Sequence, residues 1–367
     1  MKFTCEKNTL QKEISIAQEI ISTRNALSIL SNVLLIAENN ALKIKATDLK
    51  VSFETQIPAD IAEEGSTTVF CDKFLGILRS LPDGDIEFTQ ENNRLLIQPL
   101  FKKINFQLKS IASEKFPELQ EISEDQYFEI SQKEIIEMVS QTIFAVSDDE
   151  TRYFMNGVYM ENQEGALSLV ATDGRRLSFI SKSFVDQIPE FDAIIVPPKA
   201  LHLLRKLSSG EGNVKIAVGE KNLFMQFDNQ KISSNLIDGQ FPNYKRVIPE
   251  QQKYQATIKR DIFEEALKRV SLLVEQKSRR IYLHLSEGNV ILTSEESEIG
   301  VAKEELECVY EGPDITIALN YLYLTEPLRV MEDDEIIVRF SEPNKAISLL
   351  SSPEKDFFHI VMPMQLD

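Results

Sequence analysis

The chain has 367 residues, 43% hydrophobic and 27% charged, with a formal net charge of −18. That is enough apolar material for two or three domains with real cores, and no apolar run approaches the ~20 residues a membrane helix needs. The N-terminal MKFTCEKNTL lacks the apolar core of a secretion signal, which points to the cytoplasm, and the acidity argues against phosphate binding unless the basic side chains are gathered in one place.

In chain order, a strand running into an amphipathic helix opens three times: FTCEKNTLQKEISIAQEIIS from Phe3, FEISQKEIIEMVSQTIFAVS from Phe128 and QATIKRDIFEEALKRVSLLV from Gln255. Apolar residues recur there at three- and four-residue spacing, and Leu10, Ile135 and Ile262 take equivalent places. A hairpin follows each time, in VLLIAENNALKIKATDLKVSFET, VYMENQEGALSLVATDGRRLSFI and IYLHLSEGNVILTSEESEIGVAK. Their alternation predicts antiparallel strands with one wet face. Then come a strand and a second helix, in TTVFCDKFLGILRSLP, AIIVPPKALHLLRKLS and ITIALNYLYLTEPLRVM, with Pro327 delaying or kinking the last. The ATD triplet at Ala46–Asp48 returns at Ala171–Asp173, and FPEL at Phe116 returns as FPNY at Phe241. The repeat predicts an α+β chain of three related domains, 1–122, 123–250 and 251–367.

Chemistry-bearing motifs are sparse. Cys5, Cys71 and Cys308 are far apart and read as reduced structural thiols. His202, His284 and His359 are scattered, and no phosphate loop, GxGxxG, HExxH or GxSxG occurs. No cofactor and no metal site is expected.

Charge is unevenly placed. The expected helices, over Thr9–Asn25, Asp72–Ser80, Ser131–Ser147, Lys199–Leu207, Lys259–Arg280 and Leu319–Val330, sum to +6, leaving −24 for the rest. Helices sharing one surface would attract phosphates there while the remainder repelled them. Without helix-turn-helix or zinc-finger features, any DNA contact would be to the backbone, without sequence preference.

Four segments in order, RYFMNGVYM at Arg152, ATDGRRLS at Ala171, LIDGQFPNYKRVIP at Leu236 and VMPMQL at Val361, resemble the β sliding clamp of bacterial DNA polymerase III, and the resemblance spans essentially the whole chain. It implies a head-to-tail homodimer, a ring with helices lining the hole and antiparallel sheets outside. Such a ring holds duplex DNA and tethers the replicative polymerase, the clamp loader and other proteins carrying a clamp-binding peptide. It implies no catalytic site of the chain's own.

By the same resemblance, Phe106 and Leu108 meet Leu272 and Leu273 of a second copy. The partner-peptide pocket falls on Arg152, Thr172, Gly174, Arg175, Arg176, Leu177, Pro242, Arg246, Val247, Val361, Met362, Pro363, Met364 and Leu366. Arg152, Arg176 and Arg246 would frame it and meet peptide carboxylates or carbonyls. DNA contacts fall on Arg24, Lys73, Tyr153, Lys199, Arg205 and Asn320. Arg175, Gln365 and the extra Asp367 depart from the family pattern and bear on the pocket rim.

Read without the resemblance, Asp173–Gly174 is a hairpin turn needing positive φ, and VMPM is a final strand closed by Pro363. Two other functions stay open on the residues alone. One is an enzyme with a carboxylate site around Asp173, which the repeat opposes, since Glu295 and Glu296 replace Asp48 and Asp173 in the third copy. The other is a monomeric peptide-binding scaffold.

Overall fold

Alternation in KFTCE buries Phe3 and Cys5 on one face, which makes the strand that opens the chain. The Glu6 carboxylate then accepts from the amides of Asn8, at 2.9 Å, and Thr9, at 2.6 Å, capping the helix that follows. The computed structural model describes residues 1–21, 29–184 and 188–365. Three times it repeats the order strand, helix, three-stranded meander, strand, helix, three-stranded meander.

The first copy holds β1 (Lys2–Glu6), α1 (Lys7–Ile20), β2 (Asn32–Glu38), β3 (Ala41–Thr47), β4 (Val51–Pro58), a short β5 (Asp60–Glu63), β6 (Gly65–Phe70), α2 (Cys71–Ser80), β7 (Asp85–Glu91), β8 (Arg94–Pro99) and β9 (Phe106–Ile111). The second holds β10 (Phe128–Ser131), α3 (Gln132–Thr142), β11 (Val158–Gln163), β12 (Ala166–Thr172), β13 (Arg176–Ser183), β14 (Ile194–Val196), α4 (Pro198–Leu207), β15 (Asn213–Val218), β16 (Asn222–Phe227) and β17 (Gln230–Asn235). The third holds β18 (Tyr254–Lys259), α5 (Arg260–Val270), β19 (Arg280–Ser286), β20 (Asn289–Ser294), β21 (Lys303–Glu307), a short β22 (Val309–Tyr310), β23 (Ile315–Asn320), α6 (Tyr321–Leu328), β24 (Glu335–Phe340), β25 (Ile347–Ser352) and β26 (Phe357–Val361).

Compactness follows the sheets and not the repeats. One unit is residues 1–132 with 202–236, and the other is residues 133–201 with 237–367. The first unit carries a 13-stranded sheet in which β17 of the second copy pairs with β4 of the first. Phe3, Leu10, Ile14, Phe74 and Phe88 fill its core, with Phe3 stacked on Phe88 at 4.8 Å. The second unit carries a nine-stranded and a four-stranded sheet, and in the larger one β26 of the third copy pairs with β13 of the second.

Three expectations need correcting. Leu10 and Ile135 are fully buried, but Ile262 is 44% exposed and Phe263 takes the equivalent buried place. A one-residue shift rotates a side chain by about 100° around a helix, and α5 buries the i, i+3, i+4, i+7 set Phe263, Ala266, Leu267 and Val270. Pro327 does not delay α6, which starts at Tyr321, capped by Asn320 at 3.0 Å from the Leu322 amide, and carries the proline in its last turn. α1, α3, α5 and α6 are also shorter than expected. α5 ends at Val270, so Lys277, Arg279 and Arg280 fall outside it. Within the bounds found, the six helices hold eleven basic and nine acidic side chains, a net of +2 and not +6. α4 alone, with Lys199, Arg205 and Lys206 and no acid, keeps a basic excess of three. Among the described residues no helix is long and apolar enough to cross a bilayer.

Candidate partner-binding site

The ATD triplets explain themselves in the turns they build. In the second unit, Asp173 Oδ1 accepts from the amides of Arg175, at 2.8 Å, and Arg176, at 3.0 Å, while the Thr172 hydroxyl donates to the Arg176 carbonyl at 2.6 Å. In the first unit Asp48 Oδ1 takes the amides of Lys50 and Val51 at 2.9 and 2.7 Å, and Thr47 donates to the Val51 carbonyl at 3.0 Å. These are side-chain turns, and they occupy the Asp173 carboxylate that a catalytic reading would need. Gly174 sits at φ +86°, a conformation that favours glycine, and the movable Arg152 Nη1 lies 2.8 Å from where a β-carbon would stand.

The turn leads into β13, which pairs with β26 so that Leu177 lies opposite Ile360. On this face an aromatic cluster supports the segment that follows β17. Tyr159 stacks on Phe241 at 4.7 Å, and Phe179 stacks on Phe358 at 4.9 Å. The Tyr244 hydroxyl donates to the buried Glu161 carboxylate at 2.6 Å. Burial, then that hydrogen bond and the Glu161 charge, push the Tyr244 hydroxyl far up, and burial beside Glu161 pushes Tyr159 up to about 12. Both phenols therefore stay protonated donors, and residues 241–248 are pinned against the sheet.

A cleft of about 230 Å³ opens between that segment and the β13–β26 pair. Of the expected pocket residues, Thr172, Gly174, Arg175, Arg176, Leu177, Pro242, Val247 and Met362 line it. Met155, Asn243, Tyr244 and Ile360 line it as well and were missed. Tyr244 had a signal, three residues before Val247 in a quoted motif, whereas the face of Ile360 is set only by the pairing of β26 with β13. Val361 is buried but belongs to the opposite face of β26, with His359, because a strand alternates its side chains. Val247 and Met362 are 50% and 43% exposed, an unusual openness for apolar side chains at a cleft mouth.

The arginines divide. The Arg176 guanidinium is spent inside the unit: it bonds Asp173 Oδ2 at 3.1 Å, the Phe144 carbonyl at 2.5 Å and the Glu326 carboxylate, and it lies 4.7 Å over the Tyr323 ring. Those bonds make it a brace within the unit, while the residue also lines the cleft. Arg152 is held by Asp149 at 2.9 Å and covers Gly174. Arg175 and Arg246 are exposed, and Arg175 also uses its carbonyl to hold the Met362 amide at 2.8 Å. Pro363 does not line the cleft, and the Met364 amide bonds the Ala318 carbonyl at 2.8 Å, which ties the chain end to β23. Leu366 lies outside the described residues, as do Asp367 and Arg24.

Behind the cleft, His359 is fully enclosed. Its Nδ1 pairs with the Ser178 hydroxyl at 3.0 Å and its Nε2 with Gln141 Oε1 at 3.2 Å. Burial, aided by the nearby Arg176 charge, pushes the imidazole down to about 3, so it is neutral at pH 7.

Compared with known proteins, residues 1–120, 129–243 and 245–365 match the N-terminal, central and C-terminal domain models of the DNA polymerase III beta subunit. A beta sliding clamp of Treponema pallidum is 45% identical over 371 residues, covering both chains fully. The chain belongs to the β sliding clamp family. A beta sliding clamp of Pseudomonas aeruginosa is 32% identical over 371 residues, again at full coverage. A crystal structure of a DnaN sliding clamp from that organism, bound to griselimycin, superposes with TM-score 0.93 at 32% identity, and one from Bacillus subtilis with TM-score 0.94 at 25%, each over all of both chains.

The remaining positions expected of a β sliding clamp are placed as follows. Phe106 and Leu108 share one half-buried face of β9. Leu272 is 80% exposed and Leu273 half-buried, in a single 3-10 turn after α5 and not on the helix itself. Lys73 projects from α2 with its ammonium 3.5 Å from Asp72, and Arg205 is exposed on α4. Lys199 is half-buried on α4, and Tyr153 is 53% exposed and packs edge-on against Phe154. Asn320 is half-buried and already serves as the α6 cap.

Proposed function

We infer that the chain is a DNA sliding clamp: a ring-shaped homodimer that encircles duplex DNA and tethers the replicative polymerase and other DNA-processing proteins for processivity. The observation that carries the assembly is a repeated joint. β4 of copy one pairs with β17 of copy two, and β13 of copy two pairs with β26 of copy three. Continuing the series, β21 of copy three meets the equivalent of β17 and β26, which is β9 of copy one in a second chain.

Both edges are open among the described residues. β21 pairs only with β20, and on the side of β9 away from β8 the ladder reaches only Ser110 and Ile111. Unpaired edges are costly to leave exposed. In that pairing Glu305 and Glu307 on β21 would meet the basic Lys102, Lys103 and Lys109 around β9. Leu272 and Leu273 supply apolar contact to Phe106 and Leu108. Such an interface joins unlike surfaces, and two copies close it into a ring. Domain limits of 1–122, 123–250 and 251–367 follow the same repeat.

The mechanism breaks no bond and needs no catalytic site of the chain's own. A closed ring holds DNA topologically, so interior contacts can be weak and sliding remains possible. Arg205 and Lys199 on the basic α4, with Lys73, Tyr153 and Asn320, are the proposed backbone contacts. The β13–β26 cleft takes an extended peptide with one or two apolar anchors on Leu177, Ile360, Val247 and Met362. A bound polymerase thereby gains a high effective concentration at the primer end. Loading would draw on ATP hydrolysis by a separate protein, and the site of action is the cytoplasm. The test is retention: the assembled protein should stay on nicked circular DNA through gel filtration in high salt and be lost when the circle is linearised. Equal loss from both forms would refute encirclement.

A further inference from the structure

The joint between the first two copies has the same three parts as the joint that forms the peptide cleft. β4 and β17 take the places of β13 and β26, and residues 116–127 take the place of 241–247 and the residues after it. A second cleft, of about 250 Å³, opens there within the first unit. Its face differs in two register pairs, Ser52–Ser233 and Glu54–Lys231 standing where the other joint has Leu177–Ile360 and Phe179–Phe358. Two hydroxymethyl groups in place of two branched apolar chains leave a polar floor, a poor seat for an aliphatic anchor. Leu119 and Ile122 from the linking segment keep one wall apolar.

The rim decides the ligand. Glu54, Glu121 and Glu124 border the cleft against a single cation, Lys231. Glu54 already holds Lys45 at 2.7 Å. Glu121 and Glu124 are exposed, and among the described residues neither has a cation at ion-pair distance; the Lys43 ammonium near Glu121 is held by Glu38 at 2.6 Å. Glu124 is tied to the cleft by the Gln226 amide at 3.5 Å. Carboxylates repel a nucleic-acid backbone and favour a cation. A lysine or arginine stem lies well along an apolar wall while its head reaches a carboxylate.

We propose that this first-joint cleft is a second docking site, for an extended segment of a partner protein carrying a lysine or arginine flanked by apolar residues. The stem lies on Leu119 and Ile122, the head reaches Glu121 and Glu124, and the peptide backbone meets the Ser52 and Ser233 hydroxyls. A partner engaged at both joints would be held at two places, each weak alone.

The probe is a fluorescein-labelled, acetylated and amidated peptide of sequence Ala-Leu-Arg-Leu-Ala, titrated with the intact protein by fluorescence anisotropy. Binding is expected to saturate and to weaken about fivefold in the Glu121→Gln, Glu124→Gln double variant. Ser233→Ile, which fills the floor, should weaken it at least about tenfold, and Met362→Ala should remove only the share held at the β13–β26 cleft. Replacing the peptide arginine with glutamine should weaken it as the double variant does. The proposal is overturned if binding does not saturate, if both cleft variants bind like the parent, or if Met362→Ala alone removes binding. It is also overturned if spermidine displaces the peptide at equal concentration, which would mark a site for free cations only. Should Ser233→Ile fail to fold by circular dichroism, the double variant decides, because both of its side chains are exposed.

Discussion

Mild acid should weaken the fold through His359, by an amount the structure sets. The imidazole is 1% exposed and neutral in the folded state, with its ionisation pushed down to about 3 from the ordinary 6.5. Between those values the unfolded chain binds a proton that the folded chain refuses. Stability therefore falls as pH drops through 6.5 and goes on falling toward 3. Each pH unit below 6.5 costs about 1.4 kcal/mol, so passing from pH 7.5 to 5.0 removes about 2 kcal/mol through this one group. The Ser178 and Gln141 hydrogen bonds tie β13, β26 and α3 together through this ring, and Ile360 beside it floors the peptide cleft. The assay is urea unfolding of the parent and His359→Gln at pH 7.5, 6.0 and 5.0. Glutamine keeps a donor and an acceptor but does not titrate. The variant should start about 1 kcal/mol less stable, for an imperfect hydrogen-bond match, and should lose about 2 kcal/mol less than the parent on acidification. Glu13, whose carboxyl is pushed up by burial, gives an opposite slope in both proteins and cancels in the comparison. Parallel pH dependence in parent and variant would refute the assignment.

Other outcomes follow from the same geometry. Leu273→Asp places a charge in the apolar contact proposed after α5 and should convert the dimer to monomer in sedimentation; an unchanged mass counts against that interface. Met362→Ala, at a half-exposed wall of the cleft, should weaken an apolar-anchored peptide by about fivefold, near 1 kcal/mol, and leave the dimer intact; equal affinities in a calorimetric titration defeat it. Arg176→Met should cost about 3 kcal/mol in thermal unfolding, because it strands the Asp173 and Glu326 carboxylates; a loss under about 1 kcal/mol would mean the brace is unimportant.

Much of the fold was legible because its signals are local. The three copies share alternation and helical spacing, and a residue's neighbours along the chain impose both. The ATD turns are readable for the same reason, since Thr172 and Asp173 bond atoms no more than four residues away. Legibility stopped where one residue of phase mattered. Ile262 and Phe263 are equally apolar, and only packing against the sheets chooses Phe263. Helix ends were overrun after Val270, because charged residues beyond a helix resemble those on it, and the basic excess shrank accordingly.

The site shows the same division. Its apolar members, Leu177, Val247 and Met362, lie in motifs that can be read in order along the chain. Arg176 could not be assigned from its own segment, because its partners Phe144 and Glu326 lie 32 and 150 residues away. Whether Ile360 or Val361 faces the cleft depends on which face of β26 meets α3, a choice made by the strand pairing. What the amino-acid order settles alone is what near neighbours decide: the repeat, the turns, the amphipathic helices and the chain's character as three related α+β domains. What only the tertiary structure settles is which faces meet, since contacts between distant segments depend on register and rotation, and a single residue's slip in either reverses the answer.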